Sequence, residues 1–347
     1  MNALATRIAG LIAAQGPISI AQYMTMALHD PQYGYYVTRD PFGAAGDFIT
    51  APEISQMFGE ILGLWTAQSW HNAGKPAPVR LVELGPGRGT LMRDVLNVTR
   101  LMPEFRAAAK VELVESNPAL QEVQENTLDE CGVDVNWCGR FEDSDKPLYL
   151  LANEFFDALP IRQFVKTDRG WCERMVTLDE TGALAFALSP DATPLSLPER
   201  GPAELGAVYE TCPAATALVE QIARNVAAHG GAALIVDYGY GTGAGFGETL
   251  QALKAQAYAG LLDEPGEADL SAHVDFAALT QTARDVGASV FGPVGQGDFL
   301  LKLGIAHRAR KLGLPEDLAR LTSADEMGTL YKVLAILPPG AAKPEGF

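Results

Sequence analysis

The sequence predicts an α/β fold in which a mostly parallel sheet, covered by helices on both faces, follows a helical N-terminal lobe. Three observations predict it. From residue 79 onward short apolar runs alternate with helical patterns, as expected of strands joined by crossover helices. The first apolar run breaks into glycines at alternate positions just before a helix. The last two runs, Ser289 to Phe291 and Leu330 to Leu337, read as a late antiparallel pair with a helical insert between them.

In chain order, residues 1–75 are expected to form the helical lobe. Ala5 to Ala14 is a first amphipathic stretch, Ser19 to Leu28 a second with Ser19 as its cap, and Ser55 to Trp70 a third. The segments at 30–36 and 46–55 are rich in aromatics and turn formers, and a loop of that length inside a compact protein is usually functional. Gly74-Lys75-Pro76-Ala77-Pro78 marks the boundary with the sheet domain, 76–347. Its strands are expected at Val79 to Leu84, Lys110 to Glu115, Val133 to Trp137, Pro147 to Ala152 and Gly231 to Tyr240, and the late pair brings them to seven. Insertions fall at about 161–200, 241–270 and 298–325. In the first, Asp168-Arg169-Gly170 and Asp179-Glu180-Thr181-Gly182 read as turns between antiparallel strands. Helices are expected from about Pro202 to Ala228 and from Phe276 to Val286.

The glycine turn carries the first chemistry. Glu83 closes its strand, and Gly85, Gly87 and Gly89 follow at i, i+2 and i+4, so a ligand can rest on bare N–H groups at a helix N-terminus. The dinucleotide fingerprint needs the spacing G-x-G-x-x-G, and a phosphate loop needs a lysine where Thr90 stands. The pattern E-x-G-x-G-x-G resembles motif I of class I S-adenosylmethionine-dependent methyltransferases. That resemblance implies a Rossmann-like seven-stranded sheet, glycines that admit the amino-acid end of the cofactor, and Glu83 helping to hold its ammonium. Glu115 ends the second strand 26 residues beyond Gly89, where the fold puts the acid that accepts both ribose hydroxyls. A solvated strand-end carboxylate is the other reading of Glu115, and NAD would use the same acid.

Function in such sheets concentrates at the carboxyl ends of the strands. The fourth strand ends in Asn153-Glu154-Phe155-Phe156-Asp157, and packing alone does not explain acids there, because burying carboxylates is costly unless they are paired. Asn153 and Glu154 fall where motif IV of this fold meets the transferable methyl. Asp157 lies one turn further on and either joins them or serves the turn before Pro160. His273, between Asp269 and Asp275, either accepts a proton or holds its loop. Asp47 and Thr50 either cover the cofactor or stabilise turns, with Gly43, Gly46 and Pro52 as hinge formers.

Composition limits the partners. Lys plus Arg number 26 against 43 Asp plus Glu, a net charge of −17 that repels a phosphate backbone and favours a cationic substrate. Nucleic acid is therefore not an expected partner. No run of 18 uninterrupted apolar residues suggests a membrane span. Met1 to Ile8 has neither signal nor transit character, so a cytoplasmic location is expected. Cys131, Cys138, Cys172 and Cys212 show no metal-ligand spacing and read as reduced thiols.

Further motifs make the resemblance specific. Gly46-Asp47-Phe48-Ile49-Thr50 with Pro52-Glu53, Glu83 to Leu91, Asn153 to Pro160, Val236-Asp237-Tyr238-Gly239, Asp269 to Phe276, Gly295-Gln296-Gly297 and Glu326-Met327-Gly328 before Tyr331-Lys332-Val333-Leu334 resemble the MidA family over nearly the whole chain. That resemblance implies S-adenosylmethionine as cofactor, symmetric dimethylation of a protein arginine, and a subunit of respiratory complex I (NADH dehydrogenase) or a similar protein as partner. For a guanidinium it implies a carboxylate clamp, with Glu154 and Asp157 as candidates and Glu53 as a possible third acid. Two other readings stay open: methylation of a small cationic metabolite or other side chain, and an assembly factor that binds the cofactor without essential catalysis.

Overall fold

The structure, a computed structural model of the 347-residue chain, describes residues 1–38, 49–195, 203–241 and 246–347. Helix α1 (Ala3–Gln15) buries Leu4, Ile8 and Ile12, a spacing that puts all three on one face. Helix α2 (Ile20–His29) starts at a capping box in which Ser19 and Gln22 satisfy each other's backbone N–H groups. The long loop that follows contains two short helices, Tyr35–Thr38 and Ala51–Ile54. Helix α3 (Gln56–Asn72) then packs on helix α4 (Thr90–Val98), which leaves the glycine turn. Two glycines allow the approach: a Cβ on Gly59 would lie 2.6 Å from Asp94 Cβ, and one on Gly63 would lie 2.9 Å from the Val95 Cα.

The main sheet takes its seven strands from β1 (Val79–Leu84), β2 (Ala109–Val114), β3 (Val135–Cys138), β4 (Leu148–Asn153), β5 (Gly231–Tyr240), β6 (Ser289–Gly295) and β7 (Tyr331–Leu337). Their order is β3-β2-β1-β4-β5-β7-β6, with β7 antiparallel to both neighbours and the other pairs parallel. An eighth, two-residue strand, Val274–Asp275, pairs with the end of β5. β1 is buried at every position, as expected of a strand covered on both faces. Val79 and Leu81 join one apolar cluster while Val82 and Leu84 join the other. Arg80 is tolerated there because it forms a short ion pair with Glu112 of β2 and stacks on Phe141. The chain runs outward from β1 through β2 and β3, then returns on the other side at β4. That reversal opens a crevice at the carboxyl ends of β1 and β4.

The insertion after β4 is a five-stranded sheet containing Arg162–Thr167, Gly170–Leu178 and Leu184–Ala192, with both expected turns at their joints. Its other strands are Ile18–Ser19 of the N-terminal lobe and Val208–Thr211. The latter corrects the helix expected from about Pro202: helix α5 (Pro118–Leu128) precedes it in the chain, and helix α6 begins only at Pro213 and runs to His229. Val208-Tyr209-Glu210-Thr211 alternates in burial and pairs with 162–165, and Glu210 is held there by Gln163 and Thr249. Pro213 supplies the first helical position, where a missing N–H costs nothing. The insertion near 241–270 contains a small sheet of Gln251–Lys254, Ala257–Ala259 and Asp269–Ser271. Helix α7 (Phe276–Asp285) follows, and four helices between 296 and 330 separate β6 from β7. Among the described residues no helix is long and apolar enough to cross a membrane.

The α3–α4 contact gives a test of how the lobe is held. Gly63→Val should destabilise the protein by about 1–3 kcal/mol through overpacking against Val95 and Val98. Urea unfolding measures it, and a variant of native stability would show that this contact is not needed.

Candidate active site

Gly85, Gly87 and Gly89 all adopt left-handed φ values, 58°, 52° and 82°. A Cβ at Gly85 would also stand 2.7 Å from the Phe155 ring, so the turn closes only with glycine. Its geometry is fixed from behind by Gln124 of α5, which is fully buried. Gln124 Nε2 donates to the Gly87 carbonyl at 2.8 Å and to Glu115 Oε2 at 3.3 Å, while its Oε1 accepts from Trp137 at 2.8 Å. Glu115 Oε1 accepts the Asn117 N–H at 2.7 Å, and burial raises its pKa. Turn and acid are thus one hydrogen-bonded unit. Glu83 is buried in β1, its Oε2 has no hydrogen-bond partner among the described residues, and burial lifts its pKa to about 8 against the Met92 N–H.

The end of β4 forms the second half of the site. Glu154 has a left-handed φ of 50°, a strained conformation for a residue with a Cβ. Its Oε1 accepts from the Ala51 N–H and Asn153 Nδ2, both at 3.0 Å, and its Oε2 accepts from the Tyr331 hydroxyl at 3.1 Å. Burial raises its carboxyl to about 7. Asp157 is lifted to about 6 by burial, opposed by a hydrogen bond from the Tyr238 hydroxyl, and its Oδ1 has no partner among the described residues. Beneath both lies Asp237, fully buried at the end of β5. Its Oδ2 accepts N–H groups from Phe155, Phe156 and Asp157 at 3.2, 2.9 and 3.3 Å, and its Oδ1 accepts that of Tyr238 at 2.9 Å.

Aromatic rings surround these acids. Tyr238 stands 5.6 Å from Tyr331 and edge-on to His273 at 5.5 Å. Tyr36 of the N-terminal lobe donates its hydroxyl to Asp269 at 2.8 Å and accepts Asn117 Nδ2 at its carbonyl at 2.7 Å. Burial first, then the neighbouring carboxylates, push the Tyr36, Tyr238 and Tyr331 phenols well above their ordinary range. They remain hydrogen-bond donors.

A cavity of about 1080 Å³ joins the two halves, at the upper end of ordinary ligand pockets. It brings together Glu83, Gly85, Gly87, Glu115, Asn153, Glu154, Asp157, Thr50, Glu53 and His273. Gly89 caps α4 behind it, and Asp47 lies outside the described residues, as do Gly43 and Gly46. Glu53 faces the start of α4, accepting from Thr90 Oγ1 at 2.5 Å. Thr50 is buried as the N-cap of the helix Ala51–Ile54, without a capping bond from its side chain. His273 donates its N–H to Thr249 Oγ1, and burial lowers the pKa of its ring. Reading by motif assigned no role to Asp237, Tyr238, Tyr331, Tyr36 or Gln124. Asp237 does carry a signal, an acid directly after the apolar run Leu234-Ile235-Val236, whereas Gln124 and Tyr36 acquire their roles from partners distant in the chain.

Residues 61–294 match a family of S-adenosyl-L-methionine-dependent methyltransferases. The protein arginine methyltransferase NDUFAF7 of Danio rerio is 40% identical over 330 residues, covering 88% of this chain and 77% of its own. The Homo sapiens protein of that name is 37% identical over 364 residues, covering 94% and 81%. A crystal structure from Burkholderia thailandensis bound to S-adenosyl-homocysteine superposes with a TM-score of 0.86 at 29% identity, covering 99% of this chain and 94% of that one.

The residues present fit this cofactor. The unpartnered Glu83 Oε2 suits an ammonium, the side-chain-free glycine turn leaves room beside it for an amino-acid end, and Glu115 suits vicinal hydroxyls. Glu115→Ala should weaken S-adenosyl-L-homocysteine binding roughly tenfold to several hundredfold, from one or two charged hydrogen bonds of about 1.5–3 kcal/mol each. Calorimetry decides this, with NAD as the control that should show no saturable binding. Unchanged affinity in the variant would remove Glu115 from the ribose site.

Proposed function

The chain belongs to the S-adenosyl-L-methionine-dependent methyltransferase family, and from that premise we propose that its acceptor is an arginine side chain of a protein. The observation that carries this reading is the pair Glu154 and Asp157, two buried carboxyls raised to about 7 and about 6, with acceptor sites left over at the β4 end of the cavity. A carboxylate offers about four acceptor sites. On Glu154 three are taken, so it has room for one more donor, and Asp157 Oδ1 accepts no hydrogen bond from any described residue. A planar guanidinium supplies two parallel N–H groups and would bridge the two acids, whereas a point charge such as an ammonium would not use the pair in this way. The relatives' names as protein arginine methyltransferases support the same choice.

When bound, the cofactor supplies an electrophilic methyl group. Glu83, the glycine turn and Glu115 hold it. Glu154 and Asp157 would fix the guanidinium plane and draw its positive charge toward their side, leaving one nitrogen free to accept the methyl. Alignment of this kind supplies roughly 7–11 kcal/mol in intramolecular models. Asp157, or His273, whose ring burial holds below its ordinary pKa, would take the proton shed by the methylated nitrogen. A subunit of respiratory complex I is the first acceptor to try, with symmetric dimethylation as the expected product and the cytoplasm as the expected place. Mass spectrometry of arginine methylation in cells with and without the gene tests this, and identical profiles would overturn it.

Glu154→Gln keeps size and most hydrogen bonds but loses the charge, so methyl transfer should vanish while cofactor affinity stays within about 1.4 kcal/mol, a factor of ten. A folded variant that transfers at the native rate would remove the clamp. The unaltered enzyme has a pH signature too. Glu154 is raised from 4.5 to about 7, so the charged form that a guanidinium needs appears only as pH rises through about 7. kcat/KM should increase through that region. Stability should move oppositely, because the folded state binds this proton more tightly than the unfolded state does between 4.5 and about 7. A flat rate profile from pH 6 to 8 would contradict the assignment.

A further inference from the structure

The cavity mouth is bounded by a hairpin to which neither the sequence motifs nor the relatives assign a role. Its strands, Gln251–Lys254 and Ala257–Ala259, are joined by Ala255 and Gln256, both in left-handed conformation with φ of 51° and 62°. This is the two-residue turn that brings the flanking residues, Lys254 and Ala257, into a hydrogen-bonded pair. Tyr258 opposite Leu253 is therefore a non-hydrogen-bonded position, and its N–H and C=O point away from the sheet. Ala257–Ala259 is an edge: the sheet order places Gln251–Lys254 between it and Asp269–Ser271, and no described strand covers its outer side.

An edge strand with free backbone groups is a template for another chain, and proteins normally blunt it with charge or proline. Here the residue in the middle of the edge is a tyrosine that is 79% exposed, yet its side chain lines the cavity. Val37 and Leu330, 38% and 46% exposed, line the same cavity. Exposed aromatic and apolar side chains at the entrance to a cation site are costly to leave in water and suit a partner with a flanking backbone and side chains.

We propose that the outer edge of Ala257–Ala259 receives the substrate protein as an added extended strand, with Tyr258 packing beside the residue that enters the cavity. Strand addition gives sequence-tolerant affinity through main-chain hydrogen bonds, and the alternating side chains of the added strand reach in opposite directions, one of them into the site. The docked segment is polypeptide, and a free metabolite would gain nothing from this edge. This inference rests on the arginine reading above.

The experiment compares two acceptors, N-acetyl-L-arginine amide and the protein fraction of cells lacking the gene, with Tyr258→Ala, Tyr258→Phe and Tyr258→Pro. Proline at this outward-facing position spares the hairpin's own hydrogen bonds and removes only the N–H offered to a partner. On the protein acceptor, kcat/KM should stay within about twofold for Phe, fall about tenfold for Ala and fall further for Pro, as expected for a central aromatic contact plus main-chain bonds. Transfer to the amide, which lacks the flanking chain, should fall by clearly less than transfer to protein in the Ala and Pro variants. Native kcat/KM on protein in the proline variant overturns the docking edge, as does an equal loss on both acceptors, which would show a distorted cavity. If the unaltered enzyme methylates neither acceptor, the arginine reading itself fails, and this inference falls with it.

Discussion

The site depends on one buried carboxylate. Asp237 sits at the end of β5 and gathers the N–H groups of three consecutive residues, Phe155 to Asp157, onto a single oxygen. Those N–H groups point inward from a tight turn where no carbonyl could reach all of them, and left unpaired each would cost about as much as a lost hydrogen bond. The arrangement also offsets the left-handed strain at Glu154. With the turn held from below, Glu154 and Asp157 keep their side chains on the cavity side, and Phe155 closes against Gly85 of the other half-site.

Electrostatic crowding follows from that arrangement. Glu154, Asp157 and Asp237 are close enough that each disfavours ionisation of another, and all three lie in surroundings that penalise charge. Burial first, then Asp157 and Glu154 nearby, push the Asp237 carboxyl well above its ordinary range, against the four N–H groups it accepts. The fold thus gathers acidic groups at one end of the cavity, in a chain of net charge −17.

The N-terminal lobe is part of this machinery. Among the described residues it reaches the site through the Ala51 N–H on Glu154, Glu53 on Thr90, and Tyr36, whose carbonyl meets Asn117 beside Glu115 and whose hydroxyl meets Asp269. These contacts touch the end of β4, the start of α4 and the segment beside Glu115. The close α3–α4 packing over Gly59 and Gly63 sets the lobe at the distance these bonds require.

The linear sequence by itself determined the parts whose physics is local. Short apolar runs marked the strands, Ser19 the cap, and three alternating glycines a tight turn before a helix, because backbone conformation and periodicity are decided by near neighbours. Val208–Thr211 defeated that reading, since four residues next to a long helix declare themselves as a strand only once Arg162–Thr167 is available to pair. The short strand Val274–Asp275 depends likewise on the end of β5. Glu154 and Asp157 were legible as acids out of place after an apolar strand, yet their environment was not. Asp237, Tyr238, Tyr331 and Gln124 act through contacts spanning from tens of residues to well over a hundred, and only the folded chain brings those groups within hydrogen-bond reach. Which donors each carboxylate meets, and so how much charge it holds at neutral pH, is decided by tertiary structure because desolvation and hydrogen bonding depend on what packs around a group and not on what precedes it in the chain.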